Sequence, residues 1–368
     1  MRAVVCTDFE SSEVKEVETP APGPGEVLIE VSRVQLSVTE CMLYRGTEIA
    51  HHDEVARRIR ESNGGAQLFG HEFCGRIMAV GEGVDAYAES DRVYAPGKPY
   101  CGECTYCRSN HQHLCDDITS LGFDCPGALA EYVRMPVEPL CTLPDSVSDA
   151  EGAALQPMAS SVLCTLDADV EPGDTVVVIG AGVMGYQCAL LADRFGAGTV
   201  YTVDVRNRPL ELAEQNGVKA IDATETDVVE AVNKATDGIG ADVVFEAVGG
   251  DQSHATEGGE PIAQAFEVVR RGGTVVQVSH IEGEIDLLPR YLRSKSIRWI
   301  NPRKGVVAIQ PGTDTGRLAA DLVADGEVPI EDYITHELDG LEEFETAVDI
   351  TLNKDEYDAL GPAQLVLD

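Results

Sequence analysis

Four cysteines lie close together at Cys101, Cys104, Cys107 and Cys115, in a loop that carries glycine at 97 and 102. The spacing C-x2-C-x2-C-x7-C lets four thiolates close a tetrahedral shell around one Zn ion, with no position left open, which is the structural kind of site. The alternative, four unlinked core cysteines, fits so polar a loop poorly. His111 and His113 fall inside the same loop. Because four thiolates already fill the shell, both are read as solvated. A second stretch with chemical content is TVVVIGAGVMG, Thr175 to Gly185, in which five β-formers run into Gly180, Gly182 and Gly185, with Val183 and Met184 in the turn. The first glycine permits the turn, the second lets a pyrophosphate approach the backbone, and the third lets the following helix pack closely on its strand. The helix N-terminus then faces the anion. A glycine-rich strand-to-helix turn with no ligand would read the same, but Asp204 follows 19 residues after Gly185, at the end of the apolar strand Thr199 to Val203. An acid there accepts hydrogen bonds from the adenosine ribose hydroxyls. Arg206 and Arg208 would welcome a 2′-phosphate, whereas the Asp204 carboxylate would repel it, so NAD is expected ahead of NADP.

The elements that must position these residues divide the chain. Residues 1–155 read as β-rich with no helical period of any length: short strands at Arg2 to Cys6, Val27 to Leu36, Glu72 to Val80, Asp91 to Ala95 and Ala128 to Arg134, with a proline and glycine turn cluster at 20–25. A compact barrel follows, with the cysteine lobe spanning about residues 97–116. From about Pro172 apolar strands alternate with helices, and Asp242 to Val248, Thr274 to Ser279 and Ile297 to Ile300 supply further strands. Residues 156–300 are therefore expected to form a doubly wound parallel sheet. Residues 301–368, with helices near Gly316 to Ala324 and Leu341 to Ile350 and a last strand at Ala363 to Leu367, are expected to return to the first domain.

The chain has 368 residues, too many for one ordinary core, and its 27 basic against 64 acidic residues give a net charge of −37. A field of that sign repels nucleic acid and anionic membranes. The acids are scattered rather than gathered in a tail, which suits a surface kept soluble in concentrated salt, so a halophile's cytoplasmic protein is expected. No signal peptide and no membrane-spanning run are read. Seven further cysteines stand singly, as in a reducing compartment.

Gly70-His71-Glu72, followed by Gly75, Gly81 and Val84, resembles the signature of zinc-containing alcohol dehydrogenases of the medium-chain dehydrogenase/reductase superfamily. The four-cysteine lobe, the glycine turn, the strand Asp242 to Gly249 and the segment Ile334-Thr-His336 fall in that family's order. The resemblance implies an α/β protein: a GroES-like β-barrel catalytic domain plus a Rossmann doubly wound parallel sheet, with an active site in the cleft between them. A homo-oligomer, dimer or tetramer, is expected. The implied activity is hydride transfer between a secondary alcohol, polyol or sugar and NAD, assisted by a catalytic zinc. Members resembling sorbitol and threonine dehydrogenases carry Cys-Gly-Thr/Ser-Asp where this chain has Ser37-Val-Thr39-Glu40, and a glutamate before proline where it has Gln156. Serine and glutamine are poor zinc ligands. That leaves His71 as the ligand, with Glu72 joining or supporting it, and Cys41, one helical turn beyond Ser37, as either a displaced ligand or ordinary core. Thr39 keeps the hydroxyl that bonds the substrate alcohol and passes its proton outward, and it would also serve as a helix N-cap. The family's relay histidine is Met42 here. His51, His52, Arg57, Arg58 and Arg60 form a basic cluster that either orients a polar substrate or is a solvated helical face. Two other readings stay open: a zinc-independent quinone or enone reductase on the same scaffold, and an NAD-binding sensor without turnover.

Overall fold

The structure is a computed structural model, and it describes residues 1–251, 260–285, 287–303, 305, 308–310 and 313–367. The N-terminal third is built from short strands: β1 (Arg2–Asp8), β2 (Ser11–Glu16), β3 (Glu26–Gln35), β4 (Ala66–Gln67), β5 (Glu72–Val80), β6 (Arg92–Tyr94), β7 (Tyr132–Pro136) and β8 (Cys141–Thr142). Three helices also occur here, α1 (Val38–Tyr44), α2 (His52–Glu61) and α3 (Thr105–Arg108), where the sequence shows no helical period of any length. The first is only seven residues long, and the second sets Val55, Ala56 and Ile59 on one face among charged residues. Local chemistry forms both. Ser37 and Glu40 make a reciprocal capping box at α1. In α2, Asp53 and Glu54 sit in the first turn and Arg58 and Arg60 in the last, complementing the helix dipole.

A long helix, α4 (Asp149–Ala168), leads into β9 (Thr175–Ile179), α5 (Val183–Arg194), β10 (Thr199–Asp204), α6 (Asn207–Gln215), β11 (Lys219–Asp222), α7 (Val228–Ala235) and β12 (Ala241–Glu246). There follow β13 (Gly250–Asp251), α8 (Pro261–Val268), β14 (Val269–Gln277), β15 (Ile281–Glu282), α9 (Pro289–Lys295) and β16 (Arg298–Ile300). Six of these strands form one parallel sheet in the order β11-β10-β9-β12-β14-β16. By sequence that order is 3-2-1-4-5-6, the Rossmann arrangement. The central strand β9 is buried at Val176, Val177, Val178 and Ile179, which is why it reads as an unbroken apolar run.

The chain then runs through β17 (Ala308–Gln310), β18 (Thr313–Asp314), α10 (Thr315–Ala324), β19 (Glu337–Asp339), α11 (Phe344–Leu352) and β20 (Gln364–Val366). The last strand pairs antiparallel with β3, placing Gln364 opposite Gln35. Residues 1–159 and 305–368 thus make one compact unit and 160–304 the other. In the first unit, Val27, Ile29, Phe73, Val348 and Leu365 share one core drawn from both ends of the sequence. In the second, Val177, Val244 and Phe266 lie in another.

Candidate active site

The cysteine lobe is shaped by its own backbone. The four sulfurs lie within 4.8 Å of one another, with Cys101 Sγ 3.5 Å from Cys115 Sγ and 4.0 Å from Cys107 Sγ. A tetrahedral shell with Zn–S bonds of about 2.3 Å separates its sulfurs by about 3.8 Å, so the loop fits that ion. Backbone N–H groups also aim at sulfur: Cys104 donates to Cys101 Sγ at 3.3 Å, and Cys107 to Cys104 Sγ and Asp117 to Cys115 Sγ at 3.4 Å each. The Cys107 and Asp116 N–H groups pull the Cys104 thiol down to about 6. Such donors favour thiolate, the form that binds metal. His111 is exposed and bonds Ser109 through Nδ1.

Around His71 the arrangement is different. Glu40, buried on α1, accepts at Oε1 the backbone N–H of Gly70 (2.7 Å), that of His71 (3.1 Å) and the Nδ1–H of the His71 ring (2.6 Å). Its Oε2 takes the Ser37 N–H at 3.3 Å. A carboxylate can only accept, so Nδ1 carries a proton, and in the neutral ring Nε2 keeps its lone pair. Nε2 faces Glu72 Oε1 at 3.9 Å, while Glu72 Oε2 is held by Gln35 Nε2 at 2.7 Å. Burial pushes the Glu72 carboxyl up to about 7, tempered by His71 and by the Gln35 hydrogen bond. Burial alone would lower the His71 pKa; the charge and hydrogen bond of Glu40 outweigh it, and the net shift is upward. Phe123 packs against the histidine with ring centroids 5.4 Å apart.

The other candidates near α1 separate. Ser37 is the N-cap, its hydroxyl accepting the Glu40 N–H at 3.2 Å, so the capping alternative offered for Thr39 belongs to Ser37. Thr39 is half-buried in the first turn. Cys41 is 1 % exposed in the first unit's core, where burial pushes its thiol well up and Thr351 lies beside it. Gln156 is half-buried within α4, just before Pro157. Among the described residues, the four cysteines are the one group of three or more His, Cys, Asp or Glu side chains close enough to share an ion. Two members of the basic cluster make structural contacts. Arg57 is paired with Glu54 and Glu61, and Arg58 donates to the carbonyls of Gln67, Phe123 and Cys125 at 3.0 Å each, fixing the turn that carries Phe123.

In the second unit the glycine turn has open space where a ligand would lie. Gly180 has φ +100°, and a Cβ on Gly185 would stand 1.8 Å from the Gly180 oxygen. A Cβ on Gly182 would meet nothing within 4 Å. The chain's own packing therefore does not require glycine at 182. Val183 and Met184 are half-buried in the first turn of α5. Asp204 closes β10 and accepts the Ala181 N–H at Oδ2 (2.6 Å) and the Val205 and Arg206 N–H groups at Oδ1 (2.8 and 2.9 Å). Arg208 is exposed on α6. Sequence reasoning assigned no role to Glu40, Gln35, Gln364, Phe123 or Glu246. The S-x-x-E spacing of Ser37 and Glu40 was the one available signal, since it marks a capping box and a buried acid next to it. Glu246, fully buried at the end of β12, accepts the Val248 and Gly249 N–H groups at 3.0 and 3.2 Å and bonds Ser279.

Two family models match: the alcohol dehydrogenase GroES-like domain over residues 23–145 and the zinc-binding dehydrogenase over residues 180–305. The L-threonine 3-dehydrogenase of Coxiella burnetii is 31% identical over 340 residues, covering 91% of each chain. The sorbitol dehydrogenase of Halalkalibacterium halodurans is 33% identical over 285 residues, 76% of each. Among solved structures, alcohol dehydrogenase TADH from Thermus sp. ATN1 superposes with a TM-score of 0.80 at 27% identity, covering 100% of both chains. A zinc-binding dehydrogenase from Sinorhizobium meliloti 1021, bound to NADP, gives 0.83 at 26%, covering 100% of this chain and 99% of that one. The fold is thus a GroES-like domain joined to a Rossmann domain. This chain belongs to the zinc-type alcohol dehydrogenases of the medium-chain dehydrogenase/reductase superfamily. No helix among the described residues is long and apolar enough to cross a membrane.

Proposed function

We propose that this protein transfers hydride between the CH–OH carbon of a small alcohol, polyol or sugar and NAD, with one zinc at His71 and Glu72 and another in the cysteine lobe. The observation that carries the reading is the pair of donor atoms His71 Nε2 and Glu72 Oε1, which face each other at 3.9 Å with the far sides of both groups already hydrogen-bonded. A zinc ion held there would polarise the alcohol oxygen and lower its pKa. Glu40 holds the His71 ring in the tautomer that offers Nε2. Thr39 accepts the alcohol proton and passes it outward. Ser37 and Gln156 stand where the resemblance places the two remaining ligands, as neutral groups. In the Rossmann unit the gap at Gly182 receives the pyrophosphate, Val183 and Met184 flank it, and the Asp204 carboxylate takes the ribose hydroxyls, with Arg208 nearby. The names of the threonine and sorbitol dehydrogenase relatives support the substrate class. The composition supports a halophile's cytoplasmic enzyme, and a homo-oligomer is proposed with it. Residues 1–155 and 301–368 would form the catalytic domain and 156–300 the cofactor domain.

The engaged Ser37 hydroxyl and the neutral Gln156 favour a second reading, a zinc-independent quinone or enone reductase. Zinc counting, joined to a screen of sugars, polyols, threonine and butanediol with NAD and NADP at molar salt, separates the two. Two zinc ions per subunit and NADH formed from an alcohol are expected, whereas one zinc with enone reduction alone overturns the dehydrogenase. For the cofactor, Asp204→Ala should weaken NAD binding and relieve the repulsion of NADP, read as the ratio of the two dissociation constants. An unchanged ratio removes Asp204 from cofactor choice.

A further inference from the structure

Behind Glu72 lies a buried chain of two amides. Gln35 closes β3 and is 3 % exposed, and Gln364 opens β20 and is 0 % exposed. Gln364 Nε2 donates to the Ala150 carbonyl at 2.8 Å and to Gln35 Oε1 at 3.2 Å. Gln35 Nε2 then donates to Glu72 Oε2 at 2.7 Å. Which end of an amide points where is usually ambiguous, but here the backbone removes the choice. A peptide carbonyl only accepts, so Ala150 draws the NH2 of Gln364. Gln35 must then answer with its oxygen, which turns its own NH2 toward Glu72. The orientation holds although Gln364 Oε1 is buried with no hydrogen-bond partner among the described residues. Turning Gln364 over would set its oxygen against the Ala150 carbonyl and the Gln35 carbonyl together.

We propose that Gln35 and Gln364 are positioning residues that fix Glu72 as a one-oxygen donor. They hold Oε2 so that Oε1 faces His71 Nε2, in an orientation dictated from the first turn of α4. The amides cannot supply or take a proton at neutral pH, so what the relay sets is direction. This rests on the reading of Glu72 as a metal-binding group, and the experiment separates the two.

Three substitutions at Gln364 leave Glu72, His71 and Gln35 in place: Gln364→Lys keeps only donors, Gln364→Met has neither, and Gln364→Glu as carboxylate keeps only acceptors. Zinc affinity at the second site, read by competition with a chelator, should stay near wild type in Gln364→Lys. It should fall about 10- to 100-fold in Gln364→Met, the usual cost of losing an outer-shell partner, and furthest in Gln364→Glu. Release of the lobe zinc should be the same in all. If affinity instead follows melting temperature across the three, the residues are structural only and the proposal fails. A neutron crystal structure of zinc-free Gln364→Glu protein, which locates the amide hydrogens, reads the relay without the metal. Gln35 should be reversed and its NH2 withdrawn from Glu72, and an unchanged Gln35–Glu72 bond overturns the relay. A wild-type protein that binds one zinc overturns the metal role of Glu72, and with it this proposal's function, whatever the amides do.

Discussion

The cysteine lobe and the His71 pair, proposed above as the second zinc site, are assembled in opposite ways. In the lobe, one loop of fifteen residues, Cys101 to Cys115, supplies four donors of one kind, and its own N–H groups turn toward the sulfurs. At His71 the two donor atoms are adjacent in sequence, but their orientation comes from Glu40 on α1, Gln35 on β3 and Gln364 on β20. A closed set of identical ligands binds strongly and leaves no place for substrate. Two unlike ligands held from behind bind more weakly and leave positions open. The comparison teaches that the lobe takes its geometry from local sequence, whereas the setting of the His71 pair depends on long-range packing.

Four measurements would break or sharpen that contrast. His71→Ala should lower kcat/KM by on the order of 10³-fold, several kcal/mol of lost charge stabilisation, with NAD binding unchanged by calorimetry. Full activity would remove the metal from this site. Cys104→Ser should free the lobe zinc and cost about 4 kcal/mol of stability, lowering the melting temperature by roughly 10 °C. Loss of turnover with zinc and melting temperature intact would show that the lobe has a catalytic role. Glu40→Gln should weaken zinc at His71 by about 10- to 100-fold while the lobe zinc stays put under the same chelator. Equal loss from both sites would erase the distinction. Smallest of all, Cys41→Ser should leave both zinc ions bound and shift the melting temperature by roughly 2–4 °C, as a buried hydroxyl replacing a core thiol. If one zinc leaves with it, Cys41 is a ligand and the His71 site is more closed than its geometry suggests.

What could be read from sequence follows the same division. The cysteines and the glycine turn stand out because each is a run of one residue type inside a single loop, and Asp204 because it ends the next apolar strand. The Rossmann strands were equally plain, since burial on both faces forces unbroken apolar runs such as Thr175–Ile179. The helices α1 and α2 were not, because each is short and packs only three apolar side chains on the core, Cys41, Leu43 and Tyr44 in one and Val55, Ala56 and Ile59 in the other. Gln35 and Gln364 gave no signal at all. They are 329 positions apart, and only the pairing of β20 with β3 places one opposite the other. The basic cluster at 51–60 could be read two ways, and it took the bonds of Arg58 to three carbonyls to give that residue a structural role.

The cap of α1 has a consequence for how the protein responds to heat. Glu40 closes the capping box with Ser37 and also anchors the His71 ring, so the first turn of a seven-residue helix and the histidine share one carboxylate. Helix ends fray where they are exposed, but Ser37 and Glu40 are 8 % and 2 % exposed, and Glu40 also holds the Gly70 and His71 N–H groups. Warming should therefore free the imidazole only as the barrel itself unfolds, so that loss of turnover and loss of the fold share one midpoint.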